Sequence, residues 1–130
     1  MYNEKFIEVT SKNIHQDSVA ASLVAINLTK FIAQIKEEDK WEKSDRNAIT
    51  IFKSFLLRMV LIALHKGAEM KQHIKSSIIS IQVIEGEMIF TTDDQTITLS
   101  SGQILVLQEG LLHSVLAKED TIFLLTLTTT

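Results

Sequence analysis

From residue 47 onward, the chain consists of short hydrophobic runs separated by turn-forming residues. The runs are rich in Ile, Val, Leu, Phe and Thr, which favour strands. Residues 96–99 alternate between polar and apolar, which predicts a strand with one face in water. Residues 103–107 and 121–127 are apolar on both faces, and such strands must be covered on both sides. We predict strands at residues 48–53, 56–65, 78–84, 87–91, 96–99, 103–107 and 122–127.

A different period marks the segment before these strands. Apolar residues recur there with the spacing of a single helix face, at Leu28, Phe31, Ile32 and Ile35. Asn27 precedes them and can cap a helix by accepting a hydrogen bond from a free amide of the first turn. We therefore predict a helix near residues 28–38. The charged segment 36–46 is typical of a solvated connection, and the apolar stretch 18–26 fits either a strand or a helix.

Turn signals indicate the fold class. Glycines or paired aspartates lie between or at the edges of the predicted strands, at Gly67, Gly86, Asp93-Asp94, Gly102 and Gly110. No gap between the later strands is long enough for a crossover helix, so a parallel α/β sheet is not expected. A small barrel or a two-sheet sandwich covers strands on both faces, with a helix or a partner chain on the outside. We predict an N-terminal extension over residues 1–46 and a barrel over residues 47–130.

Composition and charge narrow the class of protein. The 130-residue chain is 45% hydrophobic and 22% charged, as expected for one globular domain. Its net charge is -3 with no stripe of Lys and Arg, so binding to nucleic acid is not expected. The absence of cysteine excludes disulfides and thiolate metal sites. The longest apolar run, residues 59–64, is too short to span a membrane, and residues 1–10 lack the apolar core of a signal peptide. We expect a cytoplasmic protein without a membrane partner.

Six glycine and histidine positions form a pair of spaced motifs across the predicted strands: Gly67, His73, Gly86, Gly102, Gly110 and His113. In this spacing the chain resembles the cupin superfamily, and residues 47–126 resemble its small single-domain bacterial members with a short N-terminal helix. Fifteen residues separate Gly86 from Gly102, a usual distance between the two cupin motifs. The resemblance implies an all-β fold, a cupin or jelly-roll barrel with a short N-terminal helical segment.

The metal ligands of the cupin motifs are mostly replaced. In metal-bearing cupins they are two histidines and a glutamate of the first motif and a histidine of the second, and those positions here hold His73, Lys75, Ile79 and His113. Two imidazoles are fewer than the three or four protein ligands that zinc requires. An ammonium group beside them would repel a cation. We therefore predict no metal cofactor; a metal, if bound, would lie on His73 and His113.

The resemblance makes four residues candidates for ligand binding. In the cupin frame His73 and His113 converge at the barrel mouth, where they would bind a polar group of a ligand or remain as hydrogen-bonded relics of an ancestral site. Lys75 could hold an anion or form a Schiff base, or simply reach solvent. Gln82 could orient a ligand, or be a polar residue between the sheets or at a subunit contact. Strand alternation places Gln82 on the face opposite Ile79.

Three classes of function remain open. The first is a metal-free module that binds a small organic ligand, an organic anion among the options. The second is a cupin enzyme of the isomerase or dioxygenase type that uses His73 and His113. The third is a structural or partner-binding protein without a ligand. Because the two-faced apolar strands and residues 18–26 exceed what one small barrel covers, we also predict a homodimer.

Overall fold

The computed structural model describes residues 6–9, 23–73, 78–108 and 112–128. Strands make up most of this part of the chain, and two short helices lie near its N-terminal end. In chain order the elements are β1 (Phe6–Val9), β2 (Leu23–Ile26), α1 (Leu28–Glu37), α2 (Asp39–Lys43), β3 (Arg46–Lys53), β4 (Leu57–Leu64), β5 (Glu69–His73), β6 (Ile79–Glu85), β7 (Glu87–Thr91), β8 (Thr96–Ser100), β9 (Ile104–Leu107), β10 (Leu112–Ala117) and β11 (Thr121–Thr128).

Most of these strands form two antiparallel sheets. The four-stranded sheet has the order β5-β10-β7-β8, and the five-stranded sheet has the order β3-β4-β11-β6-β9. Strands β1 and β2 pair in parallel as a separate two-stranded ribbon. The all-β architecture with a short helical segment confirms the fold class predicted from the sequence. None of the helices in the described ranges has the length and apolar character needed to cross a membrane.

The core lies between the two sheets and follows the alternation of their strands. Along β6, Ile79, Ile81 and Val83 are each 2% exposed or less. They join Phe90 and Val115, from the four-stranded sheet, in one apolar cluster. Burial of a side chain of this size contributes about 1.5–3 kcal/mol relative to exposure, so the inner face of the barrel is strongly specified.

Helix α1 covers the outer face of the five-stranded sheet. It begins after Asn27, whose side-chain oxygen accepts a hydrogen bond from the Lys30 amide at 3.1 Å, as the sequence predicts for an N-cap. Its apolar face buries Phe31 and Ile35 against the sheet in a second cluster. At its other end the Asn47 amide nitrogen donates to the Ile35 carbonyl at 3.1 Å. The helix is thus tied to β3 as well as packed on it.

The charged segment after α1 is solvent-exposed, as its sequence predicts, but it is more than an irregular connection. It contains the one-turn helix α2, in which no residue is buried. The ring of Trp41 stacks on the imidazole of His65, with centroids 3.5 Å apart. The Trp41 carbonyl lies 2.7 Å from Nε2 of the same imidazole. Contact with a ring that lies far away in sequence therefore orders this segment.

Two of the observed strands after residue 47, β5 and β10, were not predicted from the sequence. Strand β5 is polar except for Met70, and β10 combines polar and apolar residues without a clear period. The bounds of the seven strands that were predicted after residue 47 lie within about two residues of the observed bounds. Of the ambiguous stretch 18–26, residues 23–26 form β2 and residues 18–22 lie outside the described part. The predicted boundary between residues 46 and 47 falls inside β3.

Candidate functional site

Strand β10 carries His113 on the inner face of the four-stranded sheet. His113, Val115 and Ala117 are buried, whereas the residues between them are more exposed. The imidazole of His113 stacks on the ring of Phe90, with centroids 5.1 Å apart and an angle of 20° between the planes. His113 is only 4% exposed, so its ring belongs to the barrel interior.

The cavity beside this imidazole is small and apolar. Its volume is about 10 Å³, and His113 shares its walls with Ile62, Met70, Ile81, Val115, Phe123 and Leu125. A cavity of about 10–15 Å³ has room for a single water molecule. These side chains fill the space that an organic ligand would need.

In the register of β10 against β5, His73 of the first motif does not lie opposite His113. His113 lies opposite Gln72, and His73 lies opposite Leu112. The two histidines are therefore not cross-strand partners. Only the backbone of His73 is described, and Lys75 lies outside the described residues, so their predicted roles in ligand binding stay predictions.

Gln82 lies on the outer face of the five-stranded sheet, away from His113. It is half-buried in β6 between the core residues Ile81 and Val83, and it pairs in register with Leu124 and Ile104. Strand alternation is unbroken there, so Gln82 occupies the outer face, as its spacing from Ile79 predicts. The structure does not bring Gln82 together with His113.

A larger open cleft lies at the edge of the four-stranded sheet. Its volume is about 220 Å³, and it is lined by Lys71, Thr91, Thr92, Asp93, Leu112, His113 and Ser114. Ser114 pairs with Lys71 on one side and with Thr91 on the other. Residues directly opposite in a sheet share a face, so these three residues form one row across β5, β10 and β7.

An ion pair ties the start of strand β5, which carries Lys71, to the neighbouring sheet. Arg46 binds both carboxylate oxygens of Asp45, at 2.8 and 3.1 Å, and donates to the Glu69 carbonyl at 2.8 Å. The hydrogen bond from the guanidinium lowers the pKa of the Asp45 carboxyl below its usual value. Because Glu69 begins β5, this pair fixes the strand that carries Lys71.

The described residues do not fit the metal centre of metal-bearing cupins. Ile79 is 1% exposed in the core and offers no donor atom. Throughout residues 6–9, 23–73, 78–108 and 112–128, no group of three or more His, Cys, Asp or Glu side chains could hold a metal ion. Among the described residues, the donor set therefore falls short of the three protein ligands of a catalytic zinc site.

Of the residues that line the cleft, the sequence identified only His113 as a candidate for ligand binding. Lys71 belongs to β5, which was not predicted because most of its residues are polar. Ser114 belongs to β10, the other strand that was not predicted. Thr91 ends a predicted strand but carries no motif. A signal was present in the alternation of Glu69 and Lys71 with Ala68 and Met70, which is the pattern of an edge strand with one face in water.

Solved structures share this architecture. An RmlC-like cupin protein from Desulfovibrio desulfuricans is 25% identical, with a TM-score of 0.62 over 71% of this chain and 90% of that chain. A cupin-2 domain-containing protein from Shewanella frigidimarina is 20% identical, with a TM-score of 0.63 over 80% and 94%. The cupin domain of an XRE family transcriptional regulator from Enterobacter cloacae is 18% identical, with a TM-score of 0.60 over 67% and 99%. No protein-family model and no curated protein matches the chain.

Proposed function

We propose that this protein, which has the cupin fold, binds a small organic anion in the open cleft and does so without a metal cofactor. The main support is the difference in volume between the two spaces, since the cleft measures about 220 Å³ and the inner cavity only about 10 Å³. Lys71 supplies a cation, the hydroxyls of Thr91 and Ser114 supply hydrogen bonds, and Leu112 supplies an apolar contact. Such a mixture of burial and a few polar groups is typical of small-molecule sites.

Binding is favoured over catalysis by the surroundings of His113. An isomerase mechanism needs an acid and a base that reach the same substrate atoms. The other residues that line the inner cavity are apolar, and the His113 ring packs against Phe90. Within the described part of the chain, no second titratable group lines that cavity. The enzyme alternative therefore lacks a supporting observation.

The proposal is tested by titrating the protein with straight-chain carboxylates from acetate to hexanoate. Binding is followed by the backbone amide shifts of 15N-labelled protein. We expect shifts along β5 and β10, and Lys71→Gln should weaken binding about fivefold, the value of one exposed charge pair. Lys53→Gln, at an exposed lysine outside the cleft, should leave the affinity unchanged. The proposal is wrong if no carboxylate binds at millimolar concentration, or if Lys71→Gln binds as the wild type does.

His73 and Lys75 enter the same titration as further proposed ligand-binding residues. His73→Ala and Lys75→Gln should each weaken carboxylate binding by at least about fivefold if the site extends toward the first motif, since a hydrogen bond contributes about 1 kcal/mol. His113→Gln tests whether the imidazole contributes. If all three variants bind normally while Lys71→Gln does not, the motif histidines are relics.

A homodimer formed through edge strand β9 is part of this proposal. Ile104 and Val106 are 57% and 58% exposed, although they lie in a sheet. Residues 103–108 contain no charge, and charges are what usually protect an edge strand from pairing with another chain. Antiparallel pairing of two copies around Leu105 would place Ile104 of each copy opposite Val106 of the other. The five-stranded sheets of the two copies would then form one continuous sheet, with the outer faces around Gln82 side by side and related by a two-fold axis.

Light scattering tests the assembly. At micromolar concentration we expect twice the 14.7 kDa chain mass. The double variant Ile104→Lys, Val106→Lys should be a monomer, because two charges would enter the pairing strand. Ile97→Lys, on the exposed edge of the other sheet, is the matched control and should remain a dimer. A monomeric wild type, or a double variant that still dimerises, contradicts this interface. The cytoplasmic location stays a prediction, which cell fractionation tests.

A further inference from the structure

The cleft carries opposite charges on its two sides. Lys71 lies on β5, the edge strand, and Asp93 follows the end of β7. Strand β10 runs between them, with Ser114 paired to β5 and to β7. Two strand spacings of about 4.8 Å separate the backbones of β5 and β7 by about 10 Å. The cation and the carboxylate thus flank the floor of the cleft instead of sitting side by side.

Within the described part of the chain, no neighbour neutralises either charge. Among the ion pairs of the described residues, none involves Lys71 or Asp93. Both side chains are exposed, so water solvates them when the cleft is empty. A ligand that offers each of them an opposite charge would gain two interactions, whereas a simple anion would gain one and place its charge near a carboxylate.

The turn that carries Asp93 is held in position. The Thr92 amide donates to the Gln95 carbonyl at 2.8 Å, and the Gln95 amide donates to the Thr92 hydroxyl at 3.2 Å. These two bonds close the connection between β7 and β8 around Asp93. A carboxylate on a closed turn loses less freedom when it binds a cation than one on an open loop would.

We infer that the ligand of this cleft is a small zwitterion, with a carboxylate held by Lys71 and an ammonium group held by Asp93. This inference rests on the proposed function and adds the class of ligand. Because β10 separates the two side chains, the two charges of the ligand are separated by several bonds, as in an ω-amino acid. Ser114 lies on the strand between them, and its hydroxyl and that of Thr91 supply hydrogen bonds to the ligand.

The test compares probes that differ only in the ammonium group. Butyrate and 4-aminobutyrate are titrated into 15N-labelled wild-type protein, Lys71→Gln, Asp93→Asn and Asp94→Asn. We expect the wild type to prefer 4-aminobutyrate about fivefold, which corresponds to one additional exposed charge pair. Asp93→Asn should abolish this preference without weakening butyrate binding. Lys71→Gln should weaken both probes. Asp94→Asn, one residue further along the same turn and not part of the cleft wall, should behave as the wild type does.

The outcomes separate the inference from the proposed function. If butyrate and 4-aminobutyrate bind equally and Asp93→Asn changes neither, the cleft binds anions and the zwitterion inference is overturned. If neither probe shifts the amides of β5 and β10, both the inference and the proposed binding function fail. A preference for 4-aminobutyrate that survives in Asp93→Asn also overturns the inference, because the ammonium group is then recognised elsewhere.

Discussion

Replacing Asn47 should loosen the attachment of helix α1 to the barrel. Asn47 is 2% exposed and lies in β3 beneath the end of the helix. Its amide nitrogen donates to the Ile35 carbonyl at 3.1 Å and to Oε1 of Glu38 at 2.9 Å. The Ile35 carbonyl is one of the last four of the helix, which lack partners within the helix itself. Asn47 therefore joins two helix-end groups to the sheet.

The expected cost follows from these two bonds. A neutral hydrogen bond contributes about 1 kcal/mol and one to a charged group about 2 kcal/mol, so Asn47→Ala should lower the free energy of unfolding by about 3 kcal/mol. Asn47→Asp keeps the shape but replaces the donor with a carboxylate, which faces the carboxylate of Glu38. At pH 7 this variant should be less stable than Asn47→Ala, because like charges repel and a buried charge loses hydration.

Urea unfolding followed by circular dichroism measures the effect. With a slope of about 2 kcal/mol per molar urea, Asn47→Ala should lower the midpoint by about 1.5 M. Gln95→Ala, at an exposed turn residue, is the control and should change stability by less than about 0.5 kcal/mol. If Asn47→Asp unfolds at the wild-type midpoint at pH 7, the two donated bonds do not hold the helix and the reasoning is refuted.

Three further predictions concern a turn, a pH effect and the absence of a metal. Gly86 has φ of 92°, and a Cβ there would collide with the Asp120 carbonyl, whereas Gly102 has φ of 89° and open space around it. In urea unfolding Gly86→Ala should therefore cost more than Gly102→Ala, which carries only the backbone strain of about 1 kcal/mol; equal costs would exclude the collision. The Asp45 carboxyl, whose pKa the Arg46 guanidinium lowers, should titrate below 3.8 by NMR and return toward that value in Arg46→Met. Its small contribution to stability should be present at neutral pH and be lost only as the pH falls through the lowered pKa, so a midpoint above 3.8 would contradict the pairing. Elemental analysis of untagged protein should give well under one transition metal per chain, and a stoichiometric metal that resists chelator would contradict a metal-free site.

Local pattern alone was sufficient to predict the helix and most of the strands. The apolar spacing of α1 and the capping residue Asn27 act within a few residues, so the sequence exposes them directly. The same holds for β6, where a strand was predicted and where Ile79 and Ile81 alternate with the polar residues Ser80 and Gln82. The motif positions of the cupin resemblance also indicated the right fold, because glycines mark the turns that join its strands.

The candidate site depended on contacts that no local pattern contains. The register of β5 against β10 aligns Lys71 with Ser114, and pairing with β7 adds Thr91, although these residues lie far apart along the chain. A one-residue shift in register would exchange the faces of an entire strand, and only the packing of the whole sheet excludes it. The size of the inner cavity is likewise set by how side chains from several strands fill the space around His113. The sequence therefore determined most of the segments that form the barrel, whereas the tertiary structure decided which polar groups meet, because register and packing arise from contacts between distant residues.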